Sequence, residues 1–212
     1  MSRFRSQSRT MRLIRRTGWL HGIVDGVMRT RARGLFDGWI SRLPQGSSVL
    51  DVGCGMGHIV QYLADAGFAV TGLDIVDLRL ADVSLVVGDA SSLPFQSDSF
   101  DYLCLCTVLH HVPASRHHAI LREAGRVARR GVILGEDVYQ SRSELLRTKL
   151  FDRMFNMEFG AHPHANRSTD GWQKLLSDTG LSCGYAHEWV DWRGPFPVRH
   201  AVLIGRSQRQ TP

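Results

Sequence analysis

Residues Val49–His58 read VLDVGCGMGH. Val49–Asp51 has the side chains of a short β-strand, Gly53, Gly55 and Gly57 follow at alternate positions, and a helical pattern starts at His58. Glycine at the end of a strand lets the backbone turn sharply and lets a ligand approach without meeting a Cβ. The helix beyond offers its first N–H groups to an anionic group. In doubly wound α/β sheets this is where ligands bind. A dinucleotide loop needs G-x-G-x-x-G with an acid about 20 residues on. Gly53, Gly55 and Asp74 satisfy that pattern, but its third glycine position is His58, which disfavours a nicotinamide dehydrogenase.

Outward from this bend the chain alternates strand and helix. The patterning predicts a helix over His58–Ala66 and strands over Ala69–Asp74, Ser84–Gly88 and Asp101–Cys106. A helix over Arg116–Ala128, a strand over Val132–Glu136 and a helical region over Ser143–Phe159 follow. STDGWQKLLSDTG supplies a helix start at Ser168 or Thr169 and a stop at Gly180. Leu181–Val190 and His200–Ile204 then read as an antiparallel pair at one sheet edge. Before Pro44, two amphipathic helices are expected, around Leu20–Met28 and Leu35–Leu43. The expected fold class is a doubly wound, Rossmann-like α/β sheet, mostly parallel with an antiparallel C-terminal edge, and helices on both faces.

The motifs LDVGCGMG, GLDI and GDASSLPFQSDSFDYLCLCTVLHHV together resemble the class I S-adenosylmethionine-dependent methyltransferases, especially the group acting on quinones, lipids and natural products. The resemblance spans about Ser47–Glu136 and implies S-adenosylmethionine as cofactor, with S-adenosylhomocysteine as product, and a small, partly apolar acceptor. It places Gly53, Cys54, Gly55 and Gly57 along the methionine part of the cofactor and Asp51 near its ammonium group. Asp74 would accept from both ribose hydroxyls, a role suited to a carboxylate. Asp89 would take the adenine amino group beside Ala90, Ile75 is the positional candidate for stacking on the ring, and the Cys106 backbone would lie near the methionine. Asp51 and Asp89 have simpler readings as groups that order their own loops. Only 14 residues separate Asp74 from Asp89, so the helix expected there is shortened or replaced by a loop.

Methyl transfer needs placement of the acceptor and exclusion of water more than it needs an acid. A general base matters only where the acceptor atom carries a proton. His110 and His111 are the first candidates, Asp137 the second, and a loop-ordering role for one histidine is the alternative. In FGAHPHANRS, His162, His164 and Asn166 are candidates for binding the acceptor, or for ordering a loop. His-x-His without a clear third ligand is a poor metal site, and no metal is expected. His117 and His118 open a helix and read as a solvated face.

The formal charge of +6 comes entirely from Arg3, Arg5, Arg9, Arg12, Arg15 and Arg16, all ahead of the first acid, Asp25. The rest carries 20 basic and 20 acidic residues, so no nucleic-acid face is expected. Nor is there the Asn- or Asp-Pro-Pro-aromatic motif or the Pro-Cys nucleophile of nucleic-acid methyltransferases. An RNA or protein acceptor, or a cofactor-binding protein without catalysis, remains the alternative. Residues 1–18 form a basic tail, and 19–212 are expected to be one domain. Its parts are helices over 19–44, a cofactor core over 47–136, a substrate-side segment over 137–180 and terminal strands over 181–206. Cys54, Cys104, Cys106 and Cys183 lack zinc spacing and read as reduced, with Cys104 and Cys106 on one strand face. No run approaches the ~20 apolar residues that span a bilayer. A cytoplasmic location is expected. Organelle targeting by the Arg-rich start and weak membrane-surface contact by the N-terminal region are the alternatives.

Overall fold

The computed structural model describes residues 17–155, 165–192 and 197–207. The chain divides into two compact units, Met1–Pro94 and Phe95–Pro212.

In the first unit, helix α1 (Gly18–Phe36) and a 3-10 turn (Ile40–Arg42) precede strand β1 (Ser48–Val52), helix α2 (His58–Asp65), strand β2 (Ala69–Asp74) and strand β3 (Leu85–Val87). Where two helices were expected there is one, plus the short turn. Nothing between Met28 and Leu35 breaks the pattern: Arg29 pairs with Asp25 one turn back, and Thr30 Oγ1 donates to the Gly26 carbonyl. The helix ends where Trp39 folds back, its Nε1 donating to the Leu35 carbonyl at 2.6 Å. Phe36 and Trp39 are fully buried with ring centroids 4.9 Å apart.

The three strands run parallel in the order β3-β2-β1, with Leu50 opposite Thr71 and Leu73 opposite Val86. Val49, Leu50 and Val52 of β1, Val60 and Leu63 of α2 and Leu73 of β2 are buried. No helix joins β2 to β3. The short segment is instead a loop held by its own residues, with the Arg79 side chain gripping both oxygens of Asp77 and donating to the Val83 carbonyl at 2.7 Å.

The second unit contains strand β4 (Phe100–Cys106), helix α3 (His117–Val127), strand β5 (Ala128–Val138), helix α4 (Arg142–Phe155), helix α5 (Thr169–Asp178), strand β6 (Leu181–Asp191) and strand β7 (Val198–Ser207). Its strands lie in the order β4-β5-β7-β6, β4 and β5 parallel and β7 antiparallel to both neighbours. The antiparallel C-terminal pair is therefore as expected. Strand β5 begins four residues before the expected Val132, because Ala128 pairs with Phe100 and exposed Arg129 and Arg130 both reach Asp101 across the ladder. Helix α5 is closed as its sequence implies: Ser168 Oγ accepts from Gly171 N at 3.2 Å, and Gly180 follows in a left-handed conformation, φ +80°.

Candidate cofactor site

The glycine bend belongs to the first unit. Gly53, Gly55 and Gly57 all have left-handed φ, +79°, +50° and +85°, a sequence of angles that side chains with a Cβ rarely adopt. The end of β2 anchors the bend. The Leu73 carbonyl accepts from Gly53 N and Cys54 N at 2.7 and 3.1 Å, and Asp74 Oδ2 accepts from Gly55 N at 2.9 Å. Asp74 Oδ1 takes the N–H of Val76 at 3.3 Å. Burial raises the Asp74 carboxyl above its ordinary range, against the opposing pull of these N–H donors.

Asp51, the penultimate residue of β1 before the bend, is 1% exposed. Its Oδ2 has no hydrogen-bond partner among the described residues. Burial first, and the charge of Asp74 second, push its carboxyl up to about 7. A buried carboxylate oxygen that no described protein group satisfies is costly by itself and suits a cationic ligand group. A Cβ built on Gly55 meets nothing within 4 Å, so the bend is open on that side. The residues therefore fit a ligand that carries an ammonium group and lies along a bare backbone.

Cys54 contributes backbone rather than chemistry. Burial pushes its thiol up, and Sγ fills the space above Gly72, where a Cβ would lie 2.8 Å away. Ile75 is 49% exposed, as a stacking surface requires. Asp89 Oδ1 accepts from Ser91 N and Ser91 Oγ at 2.8 and 2.7 Å, so it does order its own turn, with Ala90 half-buried within that turn.

The histidine candidates fall in the second unit. After Cys106 the chain turns through Thr107, which holds φ +54° and donates its N–H to the Gly135 carbonyl at 2.7 Å. Cys104 and Cys106 do share one face, their sulfurs 3.3 Å apart, and a Cβ on Gly135 would sit 2.7 Å from the Cys106 sulfur. Next comes the 3-10 turn Leu109–His111. Glu136, wholly buried at the end of β5, organises it: Oε1 accepts from Val108 N and Leu109 N at 3.2 and 2.7 Å, and Oε2 meets His110 Nδ1. His110 is wholly buried, while half-buried His111 lies against it with ring centroids 4.0 Å apart.

Asp137 is also buried, its Oδ1 accepting from His200 Nδ1 at 2.8 Å. Asn166 Nδ2 reaches the Asp137 carbonyl at 3.5 Å, and Ala165 N donates to the His110 carbonyl at 2.9 Å, so this segment returns to the histidine turn. His162 and His164 lie outside the described residues.

His117 is not on a solvated face. It is wholly buried because its Nε2 donates to the carbonyls of Leu109 and Val112 at 2.9 and 3.0 Å, and burial lowers its pKa and keeps it neutral. Sequence reasoning also missed Glu136 and the 3.0 Å contact between His58 Nε2 and Asp25 Oδ1. The only local signal for Glu136 was a carboxylate closing an otherwise apolar strand, VILGE.

Comparison with known proteins now bears on this geometry. Residues 50–134 match the family described as methyltransferase domain. The chain is 33% identical over 180 residues to the 2-methyl-6-phytyl-1,4-hydroquinone methyltransferase of Synechocystis sp., a match covering 74% of this chain and 53% of that one. The crystal structure of an S-adenosylmethionine-dependent methyltransferase from Methanosarcina mazei superposes with a TM-score of 0.61 at 25% identity, covering 78% of this chain and 94% of that one. Residues 50–134 therefore carry a methyltransferase domain of the class I S-adenosylmethionine-dependent kind. It is also similar, at 55% identity over 59 residues, to an S-adenosyl-L-methionine-dependent Diels-Alderase of Talaromyces variabilis, covering 28% of this chain and 20% of that one. Against these two curated relatives the chain spans about half of their length or less. A methyltransferase domain of this kind takes S-adenosylmethionine as its cofactor, in agreement with the chemistry of Asp51 and the glycine bend.

Proposed function

We propose that this chain transfers a methyl group from S-adenosylmethionine to a small, partly apolar, quinone-like acceptor. The observation that carries the reading is Asp51: a buried carboxyl with one oxygen that no described protein group satisfies, next to a left-handed glycine bend. When bound, S-adenosylmethionine supplies an electrophilic methyl group on a sulfonium.

The chain's residues have the following tasks. Asp51 meets the ammonium group and is drawn to its ionised form by it. Gly53, Cys54, Gly55 and Gly57 present backbone without side-chain obstruction. Asp74 holds the bend through Gly55 N and keeps lone pairs for two ribose hydroxyls. Ile75 covers the adenine face, and Asp89 with Ala90 takes its edge. The assignment of Cys106 rests on the resemblance alone. For an acceptor hydroxyl, His111 is the base, since His110 is committed to Glu136 and Asp137 to His200. Asn166, whose Oδ1 has no partner among the described residues, is a polar contact for the acceptor. The hydroquinone named for the Synechocystis relative supports the choice of acceptor class.

One observation favours a second reading. The short match to a protein named an S-adenosyl-L-methionine-dependent Diels-Alderase supports a reading in which this chain binds the cofactor without transferring its methyl group.

Calorimetric titration with S-adenosylmethionine and S-adenosylhomocysteine tests the cofactor reading. Micromolar binding is expected, weakened by about tenfold or more in Asp74→Ala, or about 1.4 kcal/mol. A folded wild type that binds neither compound overturns it. Release of labelled methyl to hydroquinone acceptors then separates the two readings: binding without transfer to any acceptor favours the second.

A further inference from the structure

We propose that the outward face of α1 is a docking surface for an anionic phospholipid bilayer, with the helix lying along the membrane plane. This goes beyond methyl transfer and does not depend on it. Trp19, Ile23 and Val27 are 71%, 56% and 47% exposed, and at four-residue spacing they fall in one stripe along the helix. The opposite side is already occupied, since Ala32, Leu35 and Phe36 are buried. The tie between Asp25 and buried His58 fixes which side faces out. Gly18, Gly22 and Gly26 run beside the stripe, and a Cβ on any of them would meet nothing within 4 Å. These three glycine positions therefore place no side chain between the apolar groups and a flat partner.

The charge pattern selects the occupant. Asp25 is the only acid of α1, and it is held by Arg29 and His58. Arg29, Arg31 and Arg33 make the helix basic, and six further arginines precede it in sequence, ahead of the first acid of the chain. A second copy of the same face would set arginine against arginine with no carboxylate to answer it. An RNA would answer the arginines and leave the apolar stripe in water. An anionic bilayer answers both, taking the apolar groups into the acyl boundary and the guanidiniums to its phosphates. Tryptophan, apolar with one polar N–H, is suited to that boundary. Among the described residues no helix is long and apolar enough to cross a membrane, so α1 lies on the surface.

The test is co-sedimentation of the full chain with vesicles of phosphatidylcholine alone and of phosphatidylcholine mixed with phosphatidylglycerol. Binding is expected only to the mixed vesicles, and added salt should weaken it. Trp19→Ser/Ile23→Ser/Val27→Ser keeps every arginine and should lose binding by about tenfold or more. Arg31→Gln/Arg33→Gln should lose a smaller factor. All three positions of the serine variant are exposed, and its circular dichroism and melting curve should match the wild type. Undiminished binding by the serine variant would assign the attraction to charge alone and overturn the proposal, as would a wild type that ignores both vesicles. Concentration-dependent dimerisation abolished by the same serines would identify a second copy as the occupant and overturn it too.

Discussion

Replacing Asp51 by asparagine should stabilise the ligand-free protein while weakening its hold on the cofactor. Folding raises this carboxyl from its ordinary 3.8 to about 7, so the folded chain keeps the proton more tightly than the unfolded chain does. Below about pH 4 both states are protonated and the group costs nothing. Between about pH 4 and 7 the unfolded chain ionises first, so stability falls as pH rises, and above about 7 the full cost applies. A tenfold change in proton affinity is about 1.4 kcal/mol, which sets a ceiling of about 4 kcal/mol for the cost near pH 8. Asparagine carries no charge but still buries a polar amide, so a recovery of about 2 kcal/mol is expected, or roughly 4–8 °C in melting temperature for a chain of this size. Thermal unfolding of wild type and Asp51→Asn without ligand, followed by circular dichroism from about pH 4 to 8, should show the gap opening as pH rises. Titration with S-adenosylmethionine should show the variant binding more weakly. A variant that is less stable than wild type at about pH 8, or a gap that ignores pH, would refute the account of Asp51 as an ionised group held at a cost for a cationic ligand.

The glycines of the bend can be separated from one another. Gly57→Ala combines a left-handed φ of +85° with a Cβ 2.8 Å from Val83 Cγ2, and should destabilise by about 2 kcal/mol or more in urea unfolding. Gly55→Ala carries only the strain of φ +50°, so a loss nearer 1 kcal/mol is expected, with reduced cofactor affinity as its main effect. Equal losses at the two positions would show that the Val83 contact yields freely. Glu136→Gln removes the charge that Val108 N, Leu109 N and His110 share, and should cost about 1–3 kcal/mol by the same measurement. No loss would mean that another group organises that turn.

What could be read from the sequence was local. The bend, the strands on either side of it and the start of α5 each announce themselves within about a dozen residues, through glycine spacing, period or a serine cap. What could not be read depends on partners distant in the chain. Arg129 and Arg130 look like a link between helix and strand until Asp101 faces them across a strand pair. His117 looks solvated until the carbonyls of Leu109 and Val112 close over it. Glu136 acquires its role only through the turn that follows β4, and His58 through Asp25, 33 residues earlier. The candidate cofactor residues were legible because one loop and two strand ends carry most of them; the surroundings of His110 and Asp137 were not, because three or more separate segments build them.

The loop between β2 and β3 has a consequence for how this chain can change over evolutionary time. Leu80 N and Ala81 N both donate to the Met56 carbonyl, and Val83 leaves no room for a Cβ at Gly57. Loop and bend are thus two halves of one joint. Residues 79–83 and 55–57 should vary together among close relatives, and a lineage that lengthened the loop into a helix would lose the Val83 contact while the left-handed φ of +85° still favoured glycine at position 57.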